Sequence, residues 1–120
     1  MRRKSLGNLG ENLALKYLRN KGYKFIDRNF RWRFGEIDLI LQDQDILVFV
    51  EVKIRFHPDF GNPEEAVTDY KLRSIVQTAH YFKLKNPQLP DSLRIDVIAI
   101  DLNQAREKPL RLRHIKNVTL

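Results

Sequence analysis

The chain has 120 residues and no cysteine. Disulfides, thiolate zinc sites and thiol nucleophiles are excluded together, whereas oxygen-ligated metals are untouched by that absence. Long apolar runs are missing as well: nothing approaches the roughly 18 to 20 residues that a membrane-spanning helix requires. The N-terminus, MRRKSLGNLGE, opens with charge as a signal peptide does, but polar residues and glycine follow where the apolar segment should stand. There is no internal repeat, low-complexity segment or inter-domain linker. These absences predict a soluble, cytoplasmic protein with no membrane partner, folded as a single domain over residues 1–120.

What is present is a core-forming share of apolar residues, 42%, and an excess of base: 22 Lys and Arg against 15 Asp and Glu, a formal net charge of +7. Arg2, Arg3, Lys4, Lys16, Arg28, Arg31, Arg33, Lys53, Arg55, Lys71, Arg73, Arg106 and Lys116 are spread along the chain. A folded surface with a basic face suits that spread better than a charged tail. A polyanion is one reading of the charge; a small basic protein that binds no nucleic acid is the other.

The elements follow from periodicity. Residues 5–20 space Leu6, Leu9, Leu13 and Tyr17 as an amphipathic helix does, with Gly22 as its stop. YKFIDRNFRWRF reads as one strand, or as two broken near residues 27–29. GEIDLIL and DILVFVEVKIR are two further strands joined by a turn at 42–45. A loop, RFHPDFGNP, leads to a helix over residues 64–85 with Leu72, Ile75, Val76, Ala79 and Phe82 on one face, ended by NPQLPDS. LRIDVIAID is a strong strand and LRLRHI a weaker one. The order helix, three strands, helix, one or two strands predicts an α/β fold, a mixed sheet with flanking helices.

The hairpin GEIDLILQDQDILVFVEVKIR carries acid and base inside apolar strands. With Leu41 opposite Ile46, alternation places Glu36, Asp38, Ile40, Leu47, Phe49, Glu51, Lys53 and Arg55 on one face and Ile37, Leu39, Leu41, Ile46, Val48, Val50, Val52 and Ile54 on the other. Asp38 and Glu51 become diagonal neighbours about 7 Å apart, close enough to share a cation. Two readings stand. The face is simply solvated, or it is half apolar, covered at one end by a helix, with the carboxylates at the mouth of a cleft. Two carboxylates this close repel, and either Lys53 or Mg²⁺ relieves them.

An acidic residue on one strand followed by Glu-x-Lys on the next, here Ile37-Asp38 and Glu51-Val52-Lys53, resembles the PD-(D/E)xK motif of the restriction-endonuclease-like superfamily, without its proline. Four blocks, GxxGExxAxxYL at residues 7–18, GEIDLI, VFVEVKIR and RIDVIAI, are similar to the YraN family of small bacterial proteins. The resemblance runs nearly end to end and implies a restriction-endonuclease-like fold related to archaeal Holliday-junction resolvases. Asp38 and Glu51, with the Val52 carbonyl, are then the ligands of Mg²⁺ or Mn²⁺. Lys53 is the catalytic lysine, and Glu11 matches a glutamate on the resolvases' first helix. Glu11 sits on the flank of the packed helix face, so an ordinary surface glutamate is the equal alternative.

The residue types suit phosphodiester hydrolysis: hard cations prefer oxygen ligands, and Lys53 shares the face of Glu51. Arg55, Arg31, Arg33, Lys71 and Arg73 are candidate nucleic-acid contacts. Phe30, Trp32 and Phe34 either stack on bases or belong to the core, and core suits at least two of them. Asp96 supports the site or pairs with Arg94. His57, His80 and His114 show no zinc spacing, and no serine has a nucleophile motif. The expected function is a metal-dependent nuclease on structured or damaged DNA, branched or single-stranded. A non-catalytic nucleic-acid-binding protein on the same fold, and an interaction module with incidental charge, are the alternatives. Junction cutting would call for a homodimer, since two symmetric strands need two sites.

Overall fold

The first helix, α1 (Arg3–Asn20), buries Ala14 and Leu18 completely, with Leu13, Leu15 and Tyr17 packed beside them. It stops at Gly22 for a backbone reason. The Tyr23 N–H reaches the Leu18 carbonyl at 3.0 Å and the Gly22 N–H the Arg19 carbonyl at 2.9 Å, which requires the left-handed φ of 94° at Gly22. Tyr23 is thereby folded back into the same apolar cluster as Leu18. A β-carbon is strained at that φ, so Gly22→Ala is expected to lower stability by about 1–2 kcal/mol, read as a lower denaturant midpoint at unchanged slope.

The computed structural model describes residues 3–33, 35–56, 67–103 and 108–118. Arg2, Phe34, His57, Arg106, most of the RFHPDFGNP loop and the expected start of the second helix at 64 lie outside the described residues. Five strands, β1 (Lys24–Trp32), β2 (Gly35–Asp43), β3 (Ile46–Phe56), β4 (Ser92–Asn103) and β5 (Lys108–Ile115), form one mixed sheet in chain order. β3 and β4 are parallel and every other pair antiparallel. The parallel pair needs a crossover, and α2 (Asp69–Lys85) lies in it. Thr68 caps α2 by accepting the Lys71 N–H at 3.1 Å, so Val67 and Thr68, expected inside the helix, precede it.

The sheet is buried on both sides. Leu39, Leu41, Val48, Val50, Ile98 and Ile100 pack with α1, and Ile40, Leu47 and Phe49 with Ile75, Ala79 and Phe82 of α2. The α/β architecture and order of elements are those expected, with both C-terminal strands formed. The hairpin register is not. Leu41 pairs with Val48 and Asp43 with Ile46, because Gln44, at φ 55°, makes a tighter turn over residues 44 and 45. The shift is by two residues, so it keeps each side chain on its face.

Alternation itself fails in β2 beside Asp38. Ile37, expected beside Leu39, packs with the α2 cluster instead. Its partner strand does the same: Arg28 bonds to α1, while Phe30 packs edge-on against Phe82 of α2 at 4.9 Å. Between them Asn29 has φ 56°, a left-handed residue inside β1 that rolls the strand over. Leu39 pairs with Arg28 and Ile37 with Phe30, so both strands exchange faces together, at Asn29 and Asp38.

Candidate active site

The face exchange is what frees Asp38 from ordinary strand geometry. The regular β2–β3 pairing runs to Leu39 and Val50, and one step further the Asp38 Oδ2 accepts the Val52 N–H at 2.8 Å. A side-chain oxygen thus stands where a strand carbonyl would. That step follows the Leu39–Val50 pair toward Glu51, whose charge acts on Asp38.

Glu51 is 4% exposed. Its Oε1 lies 3.7 Å from the Lys53 Nζ and 3.8 Å from the Lys71 Nζ, longer than the 2.7–2.9 Å or so of a tight charge-assisted bond. Its Oε2 is buried and has no hydrogen-bond partner among the described residues. Burial, then the neighbouring Glu51 charge, pushes Asp38 up from 3.8 to about 7, against the opposing Val52 N–H, with Glu11 and Glu36 adding to the rise. Burial likewise raises Glu51, and Lys71 and Lys53 only partly offset it. Two desolvated carboxylates therefore meet with too little positive charge to hold both ionised.

Glu11, 9% exposed, leans over the sheet rather than into water. Both its oxygens are engaged, Oε1 by the Arg28 Nε and Oε2 by the Asn29 Nδ2, each at 3.0 Å. Arg28 also donates to the Asn12 Oδ1 at 2.7 Å, and the Asn29 amide to the Glu36 Oε1 at 3.2 Å. Asn29 consequently ties α1 to β2 beside Asp38. Neither Arg28 nor Asn29 was singled out as a site residue from sequence; the one signal was a polar break at 27–29 in an otherwise aromatic strand. A cleft of about 430 Å³ lined by Gly7, Asn8, Glu11, Asn29, Arg31 and Glu36 opens onto this tie.

Asp38, Glu51, Val52, Lys53 and Lys71 are brought together, with Glu11 joined to them through Asn29. Arg55 follows Lys53 on the same face of β3. Arg31 points outward with its Nε 3.3 Å from Glu36. Arg33 and Arg73 lie apart, around a depression of about 300 Å³ with Tyr70, Ser74 and Gln77. Phe30 is core, while Trp32, half-buried, stacks on Tyr81 of α2 at 4.2 Å and 10°. Asp96 does not support the site. It is fully buried on the α1 side, held by Arg94 at 2.9 and 3.1 Å, His114 at 2.8 Å and the Asn117 N–H at 3.0 Å. Burial alone would raise its pKa, yet the bonds from His114 and Arg94 lower it.

The donor set fits a hard divalent cation, since both carboxylates supply oxygen and one buried Glu51 oxygen lacks a partner among the described residues. Among the described residues no group of three Asp, Glu or His side chains could hold a metal ion. A cation held there by the two carboxylates alone would need its remaining ligands from backbone carbonyls, water or substrate, as Mg²⁺ commonly does. No described helix is long and apolar enough to cross a membrane.

Comparison with known proteins extends the likeness along the chain. A "UPF0102 protein" of Syntrophomonas wolfei subsp. wolfei is 41% identical over 114 residues, covering 95% of this chain and 96% of its own length. One of Alkaliphilus oremlandii is 43% identical over 116 residues, 95% and 97% of the two chains, and one of Persephonella marina 41% over 111 residues, 92% and 90%. The profile described as "Uncharacterised protein family UPF0102" matches residues 10–100, a span that includes Glu11, Asp38, Glu51 and Lys53. The chain belongs to the UPF0102 family.

Proposed function

We propose that the protein is a divalent-metal-dependent nuclease that hydrolyses phosphodiester bonds in structured DNA, with a PD-(D/E)xK arrangement of Asp38, Glu51 and Lys53. One observation carries the proposal: a buried Glu51 oxygen without a hydrogen-bond partner among the described residues, beside an Asp38 whose pKa is pushed to about 7. A pair that exists only to support the fold would be fully bonded, because an unmet buried polar atom costs about 1–3 kcal/mol. Asp38, Glu51 and the Val52 carbonyl would hold Mg²⁺ or Mn²⁺, which supplies Lewis acidity to water and to the phosphate. Lys53, a third exposed and on the face of Glu51, offers its ammonium to charge developing on the phosphate oxygens. Glu11 acts as a positioning residue, since Arg28 and Asn29 occupy both its oxygens. Lys71, at the first turn of α2, and Arg55 extend the positive surface along which a strand would lie. The resolvase-like resemblance and a homodimer belong to this reading for branched substrates.

A second reading, a nucleic-acid-binding protein without turnover, is favoured by the approach of both Lys53 and Lys71 to Glu51, which partly neutralises the pair without a metal. Cleavage assays on flaps, junctions, single strands and duplexes of DNA and RNA, with Mg²⁺ or Mn²⁺ against chelator, separate the two. Metal-dependent cleavage of at least one DNA is expected. Binding with no cleavage of any substrate supports the second reading.

The net charge of +7 makes salt the companion test. DNA affinity should fall by about 0.9 log units per log unit of salt for each phosphate contacted on duplex. A flat salt profile refutes both nucleic-acid readings.

A further inference from the structure

Beyond the level of Lys71, the α2 side of the sheet carries charge on three adjacent strands. Lys53 and Arg55 alternate on β3. Arg55 pairs in register with Asp101 of β4, and Asp101 with Arg111 of β5; Lys53 pairs with Ala99, and Ala99 with Arg113. In-register partners point to the same side of a sheet. The result is two rows that cross the strands, Lys53 to Arg113 and Arg55 to Arg111.

Asp101 organises the far end of both rows. It is fully buried, accepting the Arg111 Nε through Oδ2 and the Arg113 Nη2 through Oδ1, each at 2.9 Å. One carboxylate thus sets two guanidinium groups side by side. The Arg111 side chain is still 54% exposed and that of Arg113 20%. A guanidinium has five N–H donors in a fixed fork. With its Nε spent on Asp101 and its side chain half exposed, Arg111 has terminal nitrogens that meet no hydrogen-bond partner among the described residues and can take a second oxygen anion. A brace needed only to join β4 to β5 would not require two arginines on one carboxylate.

We infer that Arg111 and Arg113, aligned by Asp101, form a phosphate-binding platform on β5 that holds the nucleic-acid backbone to one side of the carboxylate site. This rests on the nucleic-acid reading above and adds to it residues outside the family profile's span of 10–100. Two strand spacings separate Arg55 from Arg111, about 10 Å at roughly 4.8 Å each. That is room for about three nucleotides at ~3.4 Å of axial rise per strand. The platform reads no bases: it fixes where the strand runs, and therefore which phosphodiester reaches Asp38 and Glu51.

The test is the salt dependence of DNA binding by the full chain. Arg111→Gln leaves Arg113 to satisfy Asp101, so the fold should persist. Its slope of log affinity against log salt should be shallower than wild type by about 0.9, one phosphate contact, while Arg111→Lys should keep the wild-type slope. Should Arg111→Gln melt earlier yet bind with the wild-type slope, the pair is a brace between strands and the inference is wrong. Should Asp101→Asn/Arg111→Gln, which removes one charge of each sign, also bind with the wild-type slope, it is wrong even if the single variant fails to fold. Hydrolysis of bis-p-nitrophenyl phosphate by the wild type with Mn²⁺ involves no polynucleotide and reads the carboxylate site separately. Failure there with a reduced slope in Arg111→Gln refutes the catalytic reading and leaves the platform standing.

Discussion

Asp38→Asn should abolish cleavage and at the same time stabilise the metal-free protein above neutral pH. The amide keeps an oxygen for the Val52 N–H, so the local bond survives, but the charge facing Glu51 is gone. The sign of the pH effect follows from the raised pKa. Asp38 titrates near 7 in the folded protein against an ordinary value of 3.8, so between those values the folded state binds more protons than the unfolded chain. Stability of the metal-free wild type therefore falls as pH rises from about 4 to about 7 and levels off above, by on the order of a few kcal/mol shared with Glu51. In Asp38→Asn most of that slope should vanish. Mg²⁺ or Mn²⁺ should raise the wild-type melting temperature at pH 8, more weakly at pH 5 where protons compete, and much less in the variant. Thermal melts at both pH values with and without metal check all of this. A wild-type melting temperature indifferent to millimolar metal at pH 8 means that Lys53 and Lys71 suffice, and the metal reading fails. DNA binding by Asp38→Asn should be kept or tightened, since one carboxylate no longer repels phosphate.

Lys53→Ala should separate the metal from the chemistry. Both carboxylates remain, so metal-induced stabilisation should persist, and Glu51, having lost one of its two ammonium neighbours, has more need of a cation. Cleavage should nevertheless fall by about 10² to 10³, the range for losing one electrostatic stabiliser of a transition state. Single-turnover rates at saturating metal measure it, with Lys71→Ala as comparison. Lys71 approaches the same oxygen from the helix, and its loss should weaken DNA binding more than the chemical step. Activity that survives both Asp38→Asn and Lys53→Ala would assign any observed nuclease to another site or to a contaminant.

The residues most legible in the sequence are those whose role depends on near neighbours. The Gly22 stop follows from a helix period ending two residues before a glycine. Alternation sorted Leu47, Phe49, Glu51, Lys53 and Arg55 onto one face of β3, because a strand's period of two needs no partner to hold. The Asp and Glu-x-Lys pattern was visible for the same reason, and a register error of two residues could not hide it, since an even shift returns each side chain to its own side.

Tertiary structure decided the rest, at places where the cause lies far along the chain or in one backbone angle. No periodicity announces that Asn29 is left-handed, yet that angle turns Ile37 and Phe30 to the α2 side and leaves Asp38 to take the Val52 N–H. Glu11 stayed ambiguous as a helix residue because its burial comes from Arg28 and Asn29, which lie 17 and 18 residues away. Asp96 and Asp101 look equivalent in RIDVIAID. Their odd separation of five sends one to the α1 side with Arg94 and His114 and the other to the α2 side with Arg111 and Arg113. Which side bears the site depends on where the two helices pack. A strand's sequence determines what its two faces carry; only the packed sheet decides what each face meets, because desolvation and charge pairing act through space.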